Sequence, residues 1–346
     1  MINPRLGIIG GGQLGSMLCQ AAKKINIEST IFSDDQNSPA KNFCDKFIYG
    51  KYDDDSKIFE FTNSIDLVTL EFENIPYETL LKINKLKNVN PNPEIIRITQ
   101  NRLLEKDFIN SLGLKTTDYI FLKEDHKINS KFFPGILKTC TLGYDGKGQS
   151  IINSIEEFSK LKIDLGKEFI LEKLVKLKKE ISVILTRFND GSIEIYEPFE
   201  NVHKNQILDT TKIPAEINDE IKIKSKEWSI KISENLKYIG SLCIEFFVDD
   251  NNKLYVNEMA PRVHNSGHLT INSHNISQFE NHIRAVCDLD RINLNKIHNA
   301  TMKNIIGEEI KLYKNRVYKK NEFFYDYLKS EIKENRKMGH LTIIKK

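Results

Sequence analysis

At 346 residues the chain is long enough for two or three folding units. It is 40% hydrophobic and 29% charged, and its net charge of +3, from 51 Lys and Arg against 48 Asp and Glu, argues against the basic stripe of a nucleic-acid binder. No apolar run is long enough to span a bilayer, the start lacks the pattern of a signal peptide, and Cys19, Cys44, Cys140, Cys243 and Cys287 form no CxxC pair, which together predict a cytoplasmic protein without a membrane or disulfide frame.

The first elements read as strand, glycine turn and helix in "RLGIIGGGQLGSMLCQAAKKI". The runs "ESTIFS", "KFIYG" and "IDLVTLEF" follow, separated by helical stretches, and this alternation predicts a parallel sheet with helical crossovers. "NVNPNPEIIRITQNRLLEKDFINSLGL" opens on a proline-rich turn and continues as one amphipathic helix, so the first boundary is placed near residue 100. From there "PGILKTC", "QSIIN", "EFILEKLV", "EISVILTRF" and "SIEIYEPF" read as strands joined by turns such as "NDGS", the pattern of an antiparallel sheet. A helix is expected from Asn218 to Leu236, and the tail beyond about residue 296 reads as charged and poor in strands.

Gly10-Gly11-Gly12-Gln13-Leu14-Gly15 fits GxGxxG, with Asp34 where a ribose-binding acid would stand. The same turn also serves plain helix–sheet packing, so a dinucleotide and a purely structural role both remain open. "GYDGKGQ", Gly143 to Gln149, is no Walker A loop, because its lysine precedes neither Ser nor Thr. It suits a loop that folds its amides over phosphates or a plain hairpin, and Lys138 on the incoming strand adds a fixed cation.

A two-residue Asn251-Asn252 turn would pair Asp250 with Lys253 and so place Glu245 opposite Glu258. Two facing carboxylates repel unless a cation lies between them, and with Asn257 beside them the oxygen set suits Mg²⁺, with Mn²⁺ as a substitute. His264 and His268 have the spacing of a helical zinc pair, but "HNSGH" is a poor helix, so Arg262, His264, Asn265 and Ser266 read better as donors to an anion. His126, His282 and His298 read as surface or packing residues.

Together "GGGQLGSML", "EFENIP", "KTCTLGYDGKGQ", "ENVHKNQIL" and "NEMAPRVHNSGH" resemble the 5-(carboxyamino)imidazole ribonucleotide synthases of the ATP-grasp superfamily, from about residue 6 to about residue 344. The resemblance implies an α/β protein with three parts: a Rossmann-like domain over 1–100, an ATP-grasp domain over 101–295 with its lid at about 120–172, and a small C-terminal domain over 296–346. It implies carboxylation of 5-aminoimidazole ribonucleotide with ATP and bicarbonate by way of carboxyphosphate, in a homodimer. Arg102, Lys138, the loop Gly143, Tyr144, Asp145, Gly146, Lys147, Gly148 and Gln149, the segment Glu172, Lys173, Leu174 and Val175, and Glu180, His203, Asn257 and Glu258 then match ATP positions. Glu245, Glu258 and Asn257 match the metal set. Gln13, Leu14, Tyr144, Asp145, Lys147, Arg262, His264, Asn265, Arg336 and Lys337 match substrate positions, with Arg262, Lys138 and His264 catalytic. In that family the glycine turn serves the substrate and not NAD. Lys147 stands where the family more often has Arg, and "KENRKMGH" replaces "RPGRKMGH" in the tail. Another ATP-grasp amine ligase, an NAD-dependent oxidoreductase and a silent nucleotide-binding module are the competing readings.

Overall fold

In the computed structural model the chain is described over residues 3–122, 128–143, 148–161 and 166–345. Strands β1 (Leu6–Ile9), β2 (Ser29–Ser33), β3 (Lys46–Tyr49) and β4 (Leu67–Leu70) form a parallel sheet in the order β3-β2-β1-β4. All four residues of β1 are buried, as a strand covered on both faces must be. Helices α1 (Gln13–Lys24), α2 (Asp55–Asn63), α3 (Tyr77–Asn84) and α4 (Pro93–Thr99) accompany this sheet.

The glycine turn is filled from inside the protein. Helix α1 has no side-chain cap and no acid in its first turn. Instead, the buried Glu71, just after β4, accepts from the backbone N–H groups of Gly12 at 2.6 Å and Gly15 at 2.9 Å. A carboxylate thus occupies the electropositive helix end where a dinucleotide phosphate would lie, and this accounts for the glycines without NAD. Gly10 holds φ at +98°, and a Cβ there would come within 2.5 Å of Glu71 Cγ. Gly10→Ala is therefore expected to cost about 2 kcal/mol or more, read as a lower midpoint in urea unfolding.

The single helix expected after the proline turn is two, α4 and α5 (Arg102–Ser111). Asn101 divides them, because its Oδ1 accepts from Leu103 N at 2.9 Å and Leu104 N at 3.3 Å, and such a cap starts a helix rather than continuing one. Strands β5 (Tyr119–Leu122), β6 (Gly135–Thr139), β7 (Gln149–Ile152) and β8 (Phe169–Lys173), with the short α6 (Ile155–Ser159), make a small antiparallel sheet in the order β5-β8-β6-β7.

The largest sheet has nine strands. β9 (Leu177–Arg187), β10 (Ile193–Ile195), β11 (Phe199–Lys204) and β12 (Ile207–Ile213) precede helix α7 (Asp219–Asn235), which Asn218 caps through Ile221 N. β13 (Gly240–Asp249) and β14 (Leu254–Ala260) follow, then helices α8 (Thr270–Ser273) and α9 (Gln278–Val286). The tail supplies β15 (Asn299–Ile306), α10 (Ile310–Lys314), β16 (Glu322–Asp326) and β17 (Lys337–Lys345). The order β14-β13-β9-β11-β12-β15-β17-β16, with β10 on β9, is antiparallel wherever its pairs are described.

The expectation of a strand-poor tail is thus corrected. In "NATMKNII" Asn299, Thr301 and Lys303 fall on alternate positions and the strand pairs with β12, while "KMGHLTIIK" pairs with that strand on its other side; the lysines of both hide these strands in composition. Helix α9 joins the parallel sheet to the nine-stranded sheet. Its buried His282 accepts at Nδ1 from Ser241 N, at 2.9 Å, and its Nε2 lies 2.8 Å from Thr69 Oγ1 on β4. A histidine satisfied at both nitrogens is a packing residue, as expected for this one. His298 is half-buried, and His126 lies outside the described residues.

Candidate active site

The site is organised by the β13–β14 hairpin. The expected two-residue turn is not formed: Val248 pairs with Leu254 and Asp249 N donates to Lys253 O, leaving Asp250, Asn251 and Asn252 as a three-residue connection with Asn252 at φ +57°. That register alone would miss the acidic pair by one residue. A bulge between Phe246 and Glu245 corrects it, since Phe246 pairs with Val256 while Glu245 pairs with Glu258. Asn257 is the inserted residue, so Asn257 and Glu258 together oppose Glu245. The acidic pair was reached from the wrong turn, and two one-residue displacements cancel.

Facing Glu258, Glu245 binds its proton more tightly than a free carboxyl does. Burial and then Glu258 push Glu245 up to about 8, and the same two causes push the buried Glu105 up to about 8, while Met259 N donates to Glu105 at 2.6 Å. Arg102 reaches Glu258 Oε2 at 3.2 Å and donates to the carbonyl of Gly143 at 3.0 Å. A face where burial and a facing carboxylate raise an acid's proton affinity fits a divalent cation that takes few protein carboxylates. Among the described residues no group of three or more His, Cys, Asp and Glu side chains converges as a metal cage. The site thus suits Mg²⁺ sharing its shell with phosphate and water, and not a protein-enclosed zinc.

Beside this pair lies a second charged set. Glu172, buried on β8, is held between Lys138 at 3.1 Å and Lys106 at 3.4 Å, and Thr117 donates to it at 2.9 Å. Burial would raise its pKa, yet the two lysines and the hydroxyl hold it at about 2. The triad keeps one net positive charge with Lys138 on its side, the cation expected beside the loop. Lys173 is exposed, Leu174 is exposed at 38%, and Val175 follows them into β9. Glu180 Oε2 lies 2.6 Å from His203 Nδ1; burial opposes charge on this imidazole, but Glu180 prevails and raises its pKa. Of the loop, Gly143, Gly148 and Gln149 are described, and Tyr144, Asp145, Gly146 and Lys147 lie outside the described residues.

A third set closes the far end. Arg262 grips Glu73 with a two-pronged contact, Nη2 to Oε1 at 2.8 Å and Nε to Oε2, so the segment after β4 clamps the segment after β14. Burial disfavours both charges, but each partner outweighs it, raising the pKa of Arg262 and lowering that of Glu73. His264 Nε2 is 3.2 Å from Glu245 Oε1, and burial, with Arg262 and Lys337, holds its pKa well below the ordinary value.

The charge of Lys337 bears on Glu73, His203, Glu245 and His264 alike. Arg336 is turned outward, with Nη1 donating to the Glu331 carbonyl at 3.2 Å. Asn265 differs from the donor role expected of it: its amide pairs reciprocally with Asn304, at 3.0 and 2.7 Å, inside the fold. Gln13 is half-buried at the start of α1, and Leu14 packs its side chain in the first core cluster. His268 is fully buried and bonds Tyr327 Oη through Nδ1 at 2.9 Å, so it does not share a metal with His264.

Sequence reasoning missed Glu73, Glu105 and Lys106. Their signal was present: Arg102, Glu105, Lys106 and Ile109 recur at i, i+3, i+4 and i+7, a buried helical face carrying charge. Charge on a buried face is a site signal in its own right.

Three family models match in sequence order: the ribonucleotide synthetase preATP-grasp domain over residues 4–100, the ATP-grasp domain over 107–279, and the phosphoribosylaminoimidazole carboxylase C-terminal domain over 300–346. N5-carboxyaminoimidazole ribonucleotide synthase of Staphylococcus aureus (strain COL) is 38% identical over 346 residues, covering 98% of this chain and 92% of the relative. The enzyme of the same name from Bacillus subtilis (strain 168) is 37% identical over 348 residues, covering 98% and 91%. Among solved structures, the S. aureus synthetase complexed with ADP superposes with a TM-score of 0.92 at 36% identity, covering 99% of this chain and 93% of the other. The Aspergillus clavatus synthase in complex with ADP and 5-aminoimidazole ribonucleotide superposes with a TM-score of 0.91 at 27% identity, covering 99% and 94%.

Proposed function

This chain belongs to the N5-carboxyaminoimidazole ribonucleotide synthase family and has its ATP-grasp fold, and from that premise we propose how its residues divide the work. The reaction is the ATP-dependent carboxylation of 5-aminoimidazole ribonucleotide in purine biosynthesis. The observation that carries the residue reading is the Glu245–Glu258 pair, two facing carboxylates with Arg102 on Glu258 as their charged partner, on the same chain segment as the Arg262–Glu73 clamp.

Bicarbonate is a poor electrophile, so one of its oxygens first takes the γ-phosphoryl group of ATP, ADP leaves, and carboxyphosphate forms. The exocyclic amine of the ribonucleotide then captures the carbon as phosphate departs. Such transfer needs positioning and charge neutralisation more than a protein nucleophile. Arg102, Lys138 and the loop from Gly143 to Gln149 hold the nucleotide phosphates, with Glu172 to Val175, Glu180 and His203 on its adenosine. Glu245, Glu258 and Asn257 would hold Mg²⁺, which would supply charge neutralisation for the phosphoryl transfer. Arg262, held rigid by Glu73, orients bicarbonate and takes up charge on the transferred group. His264 lies at the same edge. The protein works in the cytoplasm, as a homodimer.

The test is ADP release measured with and without 5-aminoimidazole ribonucleotide and bicarbonate. Dependence on both is expected, and equal rates with unrelated amines would sink the assignment in favour of another amine ligase of this fold.

Lys337 is the proposed tail cation for the ribosyl phosphate, because its charge reaches the site while Arg336 is bonded to Glu331. A phosphate remote from the reacting amine is bound about equally in ground and transition states. Lys337→Ala should raise KM for the ribonucleotide by about ten- to a hundredfold, with kcat and KM for ATP little changed. Arg336→Ala should leave all three close to wild type. An unchanged ribonucleotide KM in the double variant would place the phosphate elsewhere.

A further inference from the structure

We propose that Thr211, Asn201, Ser182 and Ser266 form a buried, one-way hydrogen-bond relay that fixes His264 as the Nε2–H tautomer. His264 then meets the reacting anion as a neutral donor and not as a base. The identity of that anion rests on the function proposed above; the relay itself does not.

The four residues cross the face of the large sheet from β12 through β11 and β9 to the turn after β14. Thr211 Oγ1 donates to Asn201 Oδ1 at 3.0 Å, Asn201 Nδ2 donates to Ser182 Oγ at 3.0 Å, and Ser182 Oγ donates to Ser266 Oγ at 2.8 Å. Ser266 Oγ lies 2.8 Å from His264 Nδ1. Thr211, Ser182 and Ser266 have no exposed surface and Asn201 has 6%. An aliphatic face would pack these strands without the cost of burying four polar side chains, so their presence calls for a role beyond packing.

The direction is set at the histidine end. The backbone N–H of Ser266 points at His264 Nδ1 from 3.3 Å, and an N–H cannot accept. Nδ1 must therefore offer its lone pair, which leaves the ring proton on Nε2. The Ser266 hydroxyl already receives the Ser182 proton, so its own single proton is free for the same nitrogen. The other neighbour is the buried Cys243 thiol, a weak acceptor that competes poorly for that proton.

Every link thus runs toward His264, and its Nε2–H is aimed out of the sheet at Glu245 Oε1, 3.2 Å away. Once a cation engages Glu245, that donor stands at the edge where a carboxylate or phosphate oxygen of the reacting species would lie. Ser182, Asn201 and Thr211 touch no substrate and act as positioning residues.

The experiment is long-range ¹H–¹⁵N correlation on the full chain labelled at histidine, with the His264 ring assigned by its loss in His264→Gln. Wild type is expected to show the Nε2–H pattern, with and without MgADP. A Ser182→Ala, Ser266→Ala double variant keeps on Nδ1 only the long 3.3 Å contact from the backbone N–H, so it should admit the Nδ1–H form alongside the Nε2–H form and lose about tenfold in kcat, with KM for ATP within about twofold. Ser266→Thr, which keeps the hydroxyl, should restore both tautomer and rate.

An Nδ1–H ring in wild type overturns the proposal, as does a double variant whose ring pattern is unchanged. A shifted ring with an unchanged kcat overturns its catalytic half. If the double variant fails to fold, Ser182→Ala and the wild-type spectrum decide in its place. Because the ring is read without turnover, failure of the proposed reaction would appear in ADP release and leave the tautomer standing.

Discussion

Glu258→Gln is expected to lower turnover by about a thousandfold or more while the fold survives. The glutamine keeps the shape and the Arg102 side of the contact, but it leaves one carboxylate where two face each other across the β13–β14 bulge. Loss of a metal carboxylate removes several kcal/mol of charge stabilisation from the phosphoryl transfer, and about 4 kcal/mol corresponds to that thousandfold. Saturating Mg²⁺ should not rescue the rate; a variant that retained near wild-type kcat under those conditions would end the metal assignment.

The same substitution has an opposite effect on the metal-free protein. Glu245 and Glu105, each pushed up to about 8 by burial and by Glu258, hold protons in the folded state that the unfolded chain releases near its ordinary 4.5. Their raised values contribute stability that is fully present below 4.5 and is lost as pH climbs toward 8, by up to about 1.4 kcal/mol per pH unit for each group. Removing the Glu258 charge brings both values down and flattens that slope.

Five buried histidines work in the other sense, since burial holds His274 at about 4 and His282 and His340 at about 3, and lowers His264 and His268 as well. Their unfolded forms take up protons near 6.5, so stability falls as pH drops below that value. They are common to both proteins and cancel in the difference. Metal-free melts at pH 5 and pH 8 should therefore show the variant gaining on wild type at the higher pH. Parallel pH profiles would mean that the acidic pair is not coupled as the geometry requires.

Arg262→Lys should lower kcat by about a hundred- to a thousandfold, comparable to losing one preorganised donor at a developing oxyanion. Lysine preserves the charge, so Glu73 is not left alone, but it cannot make the two-pronged grip that fixes the guanidinium plane between the two domains. The loss should fall on kcat, with KM for ATP changing little, because the nucleotide side of the site is held by Lys138 and Arg102. Arg262→Met goes further: it strands Glu73 without its partner, and about 3–5 kcal/mol of stability should be lost with the activity. A lysine variant within tenfold of wild type would show that charge alone suffices and that the clamp is only an interdomain tie.

Much of the architecture was legible from pattern. Unbroken apolar runs between helical stretches marked the buried parallel sheet, and the helix expected from Asn218 to Leu236 is α7, within one residue of its observed bounds. The tail was not legible. Its strands β15 and β17 include Lys303, Lys337 and Lys345, and they form because β12 offers an edge to β15 and β15 offers one to β17, which composition does not reveal. The break between α4 and α5 was missed for a different reason: Asn101 sits inside an otherwise helical pattern, and only its capping bonds show that it starts a new helix.

By itself the sequence determined the family, the fold class and the kinds of group at the reacting edge, since those depend on residue identity in order along the chain. Tertiary structure alone decided which charges meet. Glu71 filling the glycine turn, Glu73 gripping Arg262, and Lys106 sharing Glu172 with Lys138 all join residues far apart in the chain. Electrostatic energy depends on distance and burial in space, and a one-residue bulge at Asn257 is enough to bring Glu258 opposite Glu245 or to miss it.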